Sequence, residues 1–275
     1  MLMPTEPCQA CYWSEEVVDR SKDIYLRMVD IISQHYSYDR TINTLQSIIR
    51  DIENCSVILA RYFLFLKLYR ETKDIFVSNF VTTDIEYFFG NIRSIYDLLQ
   101  FLTWDLWKRA TKINLSKNFH DMTKRDPDYL TRKYHLPEPL IKYYIETKDF
   151  FDACCKIRDS LQHLGYDIQV VFCFEDGFAL PKKNPWLTSF LTSSFDIWPE
   201  EKIKENGLVS VLALISSISQ KLLKNIDTFS ESLIQSIQPL IPISTKYKVF
   251  FRGPYTNHLL KLEDYLEKQW IDLDN

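Results

Sequence analysis

The sequence predicts an all-α protein, a bundle of four long helices with flanking helices and one small β-hairpin. Three observations predict it. Apolar residues recur at spacings of three and four through four long segments, the signature of helices with one buried face. Only 5 glycines occur in 275 residues, which disfavours folds built from many tight turns and excludes most glycine-rich nucleotide loops. A single stretch carries the β-branched and aromatic residues of a sheet on both sides of a turn. The remaining composition, 46% hydrophobic and 25% charged, is that of an ordinary globular chain. Its length suits one large domain over residues 1–275, with a helical core over about 40–240.

In chain order, a first helix is expected over Glu15 to Gln34, packed on the core. The first long helix runs through Ile42, Leu45, Ile49, Ile52, Leu59, Phe63 and Leu66, with Asp39 or Thr41 as its cap. The second runs through Ile85, Phe88, Ile92, Ile95, Leu99, Leu102 and Leu106, entered at "TTD" (82–84). The third carries Tyr143, Thr147, Phe150, Cys154, Ile157, Leu161 and Leu164. It begins after Pro137 or Pro139 and stops at Gly165. Directly after it, "DIQVVFCFEDGFALP" reads as a hairpin turning at Asp176-Gly177. The fourth long helix takes Leu208, Val211, Ile215, Ile218, Leu222, Ile226, Phe229 and Leu233, and ends before Pro239. "YKVFF" (247–251) reads as a further short strand, and a last helix covers 257–270. Two long connections, 113–137 and 181–206, are ordered lids or surface crossings.

A net charge of −4 excludes a protein that coats nucleic acid over its whole surface, but leaves room for a local basic groove. Between Lys108 and His135 there are eight Lys or Arg against three Asp. Within that run Lys108, Arg109, Lys112, Lys124, Arg125, Arg132 and Lys133 form a candidate RNA-binding patch, the alternative being a solvated connection between helices. Among six cysteines, Cys8 and Cys11 form one CxxC. A structural zinc site takes about four ligands, and no second pair stands at the right distance, so no structural metal is expected there. The start of the chain has no basic region followed by an apolar run, and the apolar stretches fall short of the roughly 20 residues of a membrane span. The expectation is a cytoplasmic protein with reduced thiols, no membrane association and no cofactor.

The stretch with chemical content is "KIRDSLQHLG" (156–165), which places an arginine, an aspartate and a histidine within six residues, just before a glycine stop. On a helix Asp159 and His163 are four apart and share a face, so a carboxylate there can orient the imidazole. Arg158 lies about 140° around the helix from His163, so the two meet only if a second chain contributes one of them. The plain alternative is a surface pair at a helix end, with His163 near the negative end of the dipole and Arg158 in an ion pair. A second Arg-to-His spacing, "RGPYTNH" from Arg252 to His258, contains Gly253-Pro254. That pair breaks any helix, so this match reads as fortuitous.

A helix ending in Arg, a polar residue, a short interval and His resembles the HEPN superfamily (higher eukaryotes and prokaryotes nucleotide-binding domains). "IRDSLQHLG" fits that signature at Arg158, Asp159 and His163. "FFGNIRSIYDLLQFL" (88–102) is similar to its preceding helix, with Arg93 and Asp97 one turn apart. The resemblance implies an all-α bundle that pairs as a homodimer, with two motif copies lining one cleft. It further implies a metal-independent endoribonuclease, of the kind found as toxins opposed by an antitoxin or in antiviral defence. In that reading the 2′-hydroxyl of RNA attacks the phosphate, His163 moves the protons, Arg158 holds the phosphate and Asp159 orients His163. Arg93, Asp97 and Ser160 stand behind them as supporting residues. The alternatives are a catalytically silent HEPN-like interaction module, in which Arg158 is consumed by an internal salt bridge, and a helical nucleotide- or ligand-binding protein with an aromatic-lined pocket.

Overall fold

The structure is a computed structural model. It describes residues 17–19, 39–163, 171–183, 187, 197–237, 246–248 and 256–271; the side chains of 17–19, 39–42, 161–163, 246–248 and 256–257 fall outside that description. The described chain is mostly helical, with a small three-stranded antiparallel sheet.

Four long helices form where the apolar periodicity places them. α1 spans Asp39–Thr72. It buries Ile48, Ile52, Cys55, Leu59, Tyr62 and Leu66, a stripe at three- and four-residue spacing. Ile49, expected on that stripe, is instead exposed. The helix ends where Lys73 takes a left-handed conformation (φ 56°), and Asp74 then accepts a hydrogen bond from the Phe76 N–H at 2.9 Å. That turn starts α2 (Val77–Thr111). The entry at "TTD" is therefore corrected: residues 82–84 lie inside the helix. Asp84 caps nothing; it is buried and paired with Arg61 at 3.1 Å.

The connection 113–137 carries two short helices, α3 (Phe119–Thr123) and α4 (Pro127–Tyr134). Each has a side-chain cap: Asn118 accepts from the His120 N–H and Asp126 from the Tyr129 N–H. The third long helix, α5 (Glu138–His163), begins at the expected prolines. The expected hairpin follows as β2 (Phe172–Phe174) and β3 (Gly177–Pro181), with its turn one residue earlier than expected: Glu175 and Asp176 make the turn, and Gly177 begins β3 opposite Phe174. A third strand, β4 (Leu208–Ser210), pairs antiparallel with β3 in the register Leu180 to Val209. Leu208 was expected inside the fourth helix, which starts only at Val211 (α6, Val211–Ser236). An apolar run ahead of a helix reads equally well as either element, and pairing with β3 decides it.

Two further expectations are corrected. Val17–Asp19 is a strand (β1), not helix, paired antiparallel with β5 (Lys246–Lys248), which overlaps the stretch expected as "YKVFF" at Tyr247 and Lys248; residues 249–251 lie outside the described residues. The β-branched pair Val17-Val18 suits a ladder once a partner strand is present. The rest of the Glu15–Gln34 helix lies outside the described residues. The last helix is broken into α7 (Thr256–Leu259) and α8 (Leu262–Lys268). Leu260 and Leu262 are both buried. On one straight helix they would point about 200° apart.

The chain clusters into two compact units, each drawing on three separate segments: residues 1–52, 94–151 and 222–256 in the first, 53–93, 152–221 and 257–275 in the second. Aromatic rings fill the first. Phe119 stands 4.9 Å from Tyr96, 4.7 Å from Phe151 and 5.6 Å from Tyr144, between ring centroids. Their polar ends are satisfied: the Tyr144 hydroxyl donates to Gln100 (2.7 Å), the Asn225 amide to the Tyr96 hydroxyl (2.7 Å) and the Trp107 indole to the Tyr134 carbonyl (3.0 Å).

In the second unit the sheet is fastened to its neighbours. The buried Tyr62 hydroxyl accepts from the Phe178 N–H at 3.0 Å. Lys204 pairs with Asp176 at 2.6 Å, Arg70 donates to the Glu175 carbonyl, and Lys73 pairs with the Glu175 carboxylate. The Trp270 indole donates to the Lys202 carbonyl, and the Ser210 hydroxyl to the Gln269 carbonyl.

Candidate functional site

The candidate site lies in the second unit, on α2 and α5. Ile92 and Ile157 are fully buried, and each precedes an arginine on its helix. Those anchors leave Arg93 and Arg158 at the edge of the core, with a third or less of each side chain exposed. Both guanidiniums turn to one carboxylate oxygen. Arg158 Nη1 donates to Asp159 Oδ1 at 2.7 Å, and Arg93 Nη1 donates to the same oxygen at 3.3 Å. Asp159 itself is half exposed, and Ser160 beside it is half-buried.

The charge arithmetic is informative. Two guanidiniums on one oxygen sit at most about 6 Å apart, where like charges repel by on the order of 3 kcal/mol at an effective dielectric near 20. One carboxylate relieves that repulsion and leaves the trio with one net positive charge. Solvent screens all of these terms, because none of the three side chains is fully buried. Each guanidinium has five N–H donors in a planar fork, and a phosphate presents matching oxygens. Chemically, the trio can receive an anionic ester that bridges two arginines.

Of the residues predicted for the site, the structure brings together Arg158, Asp159 and Arg93. It changes the standing of Arg93, expected as a supporting residue, because its guanidinium reaches Asp159 as Arg158 does. No local signal marks that contact, since 66 positions separate the two residues. Asp97 follows Arg93 by one turn on α2. His163 is the last residue of α5, four positions on from Asp159 and therefore at a place on the same face of the helix; its side chain lies outside the described residues. One turn before Arg158, Cys154 is buried, and burial pushes its thiol well up, so it is no nucleophile.

The predicted RNA-binding stretch belongs to the first unit. Its cations are exposed and largely engaged with local partners. Arg109 pairs with Asp105 at 3.6 Å and Arg132 with Asp128 at 3.7 Å, both one helical turn away. Lys108 lies 5.3 Å from the centre of the Trp104 ring, and Lys117 4.1 Å from it. Arg125 and Lys133 lie 4.9 and 5.2 Å from the Tyr129 ring. A hydrogen bond from Lys133 lowers the Tyr129 phenol and raises the lysine in turn. Lys112 ends α2 in a left-handed conformation and Lys124 closes α3.

The fortuitous pair is also placed in part. Arg252 lies outside the described residues. His258 is half-buried, stacked on Phe63 at 5.5 Å with Nδ1 3.2 Å from the Tyr265 hydroxyl, and burial lowers its pKa. That setting is structural. Cys8 and Cys11 lie outside the described residues, among which no group of three His, Cys, Asp or Glu could hold a metal ion. No helix among the described residues is long and apolar enough to cross a membrane. No protein-family description, curated protein or solved structure matches this chain.

Proposed function

We propose that the chain is a metal-independent endoribonuclease of the HEPN type, acting on RNA as toxin or defence ribonucleases do, with the Arg93–Arg158–Asp159 trio as its phosphate-binding centre. The observation that carries this reading is the convergence of two guanidiniums from two helices on a single, half-exposed carboxylate oxygen. An arrangement this exposed contributes little to stability, typically under about 1 kcal/mol per pair, so it is a poor lock between helices. It is a good receptor for a bridging anion. Arg93 thus joins Arg158 at Asp159, the residue that shares a helix face with His163. The 2′-hydroxyl attacks phosphorus, the P–O5′ bond breaks, and a cyclic phosphate and a 5′-hydroxyl result. His163 transfers protons near neutral pH, and the arginines stabilise charge on the phosphoryl oxygens.

The second reading, a catalytically silent interaction module, has the 2.7 Å bond from Arg158 to Asp159 in its favour, because it expects an arginine consumed internally. One assay separates them. Mixed single-stranded RNAs are incubated with the full chain in EDTA, and product ends are read for a cyclic phosphate. Cleavage that falls about 10²–10⁴-fold in His163→Ala, with an unchanged melting temperature, is the expected result. Equal cleavage by wild type and His163→Ala, or none on any RNA tried, makes the silent module the better reading.

A further inference from the structure

We infer that Asp159 is an internal competitor for the two-arginine site: its carboxylate holds the place of a phosphate oxygen, and an incoming anion binds by displacing it. The inference deepens the proposed function and rests on its assignment of Arg93 and Arg158 as the phosphate-binding pair. Both donated bonds end on one oxygen, Oδ1, at 2.7 Å from Arg158 and 3.3 Å from Arg93. A phosphoryl oxygen lying between two guanidiniums would accept in the same way. Helix geometry does not enforce this pairing. Arg158 and Asp159 are consecutive on α5, their side chains leave the axis about 100° apart, and neighbours of that kind do not share a face. Exposure tells which partner gives way: 50% of the Asp159 side chain is in water, against 23% for Arg158 and 33% for Arg93. The arginines are anchored behind the buried Ile92 and Ile157, whereas the short aspartate side chain can turn into solvent by rotamer changes that leave the helix intact.

A tethered carboxylate sets a threshold for whatever enters. It competes at an effective concentration on the order of millimolar, so a simple monoanion such as acetate, which offers the arginines no more than Asp159 does, gains little by replacing it. A phosphate presents several oxygens to two planar forks, and a polynucleotide brings a row of phosphates. Both have what is needed to take the pair from Asp159. The specificity that follows is for phosphate and its esters over carboxylates and halides. Displacement also frees the carboxylate at its place on α5 four positions before His163, where it can orient an imidazole. Anion binding and preparation of the histidine then become one event. The bond from Arg158 to Asp159, which favours the silent module, is in this scheme the resting state of a working site.

Isothermal titration calorimetry of the full chain with inorganic phosphate tests the inference. Asp159→Asn keeps an oxygen acceptor for the arginines and removes the competing charge. It should bind phosphate about tenfold more tightly than wild type, as the loss of one like charge beside the anion implies after solvent screening. Asp159→Glu keeps the charge and should stay within about threefold of wild type. Glu71→Gln removes a charge near the far end of α1, and Arg93 lies about 24 Å along α2 from Val77, so this control should bind as wild type does. Circular dichroism checks that each variant is folded. Phosphate affinity in Asp159→Asn equal to or below that of wild type overturns the inference, as does equal tightening in Asp159→Glu or Glu71→Gln. Absence of phosphate binding to wild type and Asp159→Asn alike overturns it together with the arginine pair. RNA cleavage in EDTA, read on the same preparations, separates the two proposals. Tightening without cleavage refutes the ribonuclease and leaves the competitor standing, and cleavage that depends on His163 without tightening does the reverse.

Discussion

Replacing Arg93 by alanine discriminates between a working guanidinium and a structural one. The bond from Arg93 to Asp159 is 3.3 Å long, with a third of the arginine side chain and half of the aspartate side chain in water. Exposed pairs of that kind are worth about 0.2–1 kcal/mol. For a chain of this size 1 kcal/mol corresponds to roughly 2–4 °C, so the coupling between Arg93 and Asp159 should be worth no more than about 3 °C in melting temperature. Its effect on chemistry should be far larger. Removing one pre-positioned donor from a developing phosphoryl charge typically costs 10²–10³-fold in rate. The assay is a double-mutant cycle with Asp159→Ala, read once by thermal unfolding and once by RNA cleavage in EDTA. Inorganic phosphate adds a readout that needs no substrate: it should raise the melting temperature of wild type and leave Arg93→Ala and Arg158→Ala unmoved. The reasoning is refuted if Arg93→Ala melts many degrees lower while cleavage and phosphate stabilisation stay at the wild-type level.

The remaining predictions concern the second unit. Tyr62→Phe removes the acceptor of the buried Phe178 N–H and should cost about 1–3 kcal/mol by urea denaturation. Gly177→Ala should also destabilise, because its new Cβ would stand 2.7 Å from the Tyr62 hydroxyl at φ +153°; equal stability to wild type would contradict the packing described. Burial raises the Asp84 carboxyl above its ordinary value against the pull of Arg61. The wild type therefore loses stability as pH rises from the unfolded pKa through the folded one, and Asp84→Asn should gain on it over that acidic range, measured as the difference in melting temperature across pH. His258 has the opposite sense: its folded pKa is lowered, first by burial and then by Lys261. Stability should fall as pH drops from about 6.5 through that lower value, and His258→Phe should flatten the slope.

What the sequence determined by itself was the class of fold and the position of its long helices. Apolar residues three and four apart bury one face whatever they pack against, so α1, α2, α5 and α6 were legible from their periodicity, and Asp176-Gly177 marked a hairpin through its turn chemistry, though the turn itself falls one residue earlier, at Glu175-Asp176. Helix ends were less legible. "TTD" has cap residues, yet Asp74 and the left-handed Lys73 start α2 earlier, because a cap signal is local and the turn that uses it is not. Elements whose identity depends on a partner were decided only in three dimensions: β4 by pairing with β3, β1 by pairing with β5, and the break between α7 and α8 by the need to bury Leu260 and Leu262 together. The candidate site divides the same way. Arg158 and Asp159 were readable as neighbours on one helix, whereas the arrival of Arg93 from 66 residues away was not. Helical periodicity reports which face is buried; it does not report which residue of another helix comes to stand beside it.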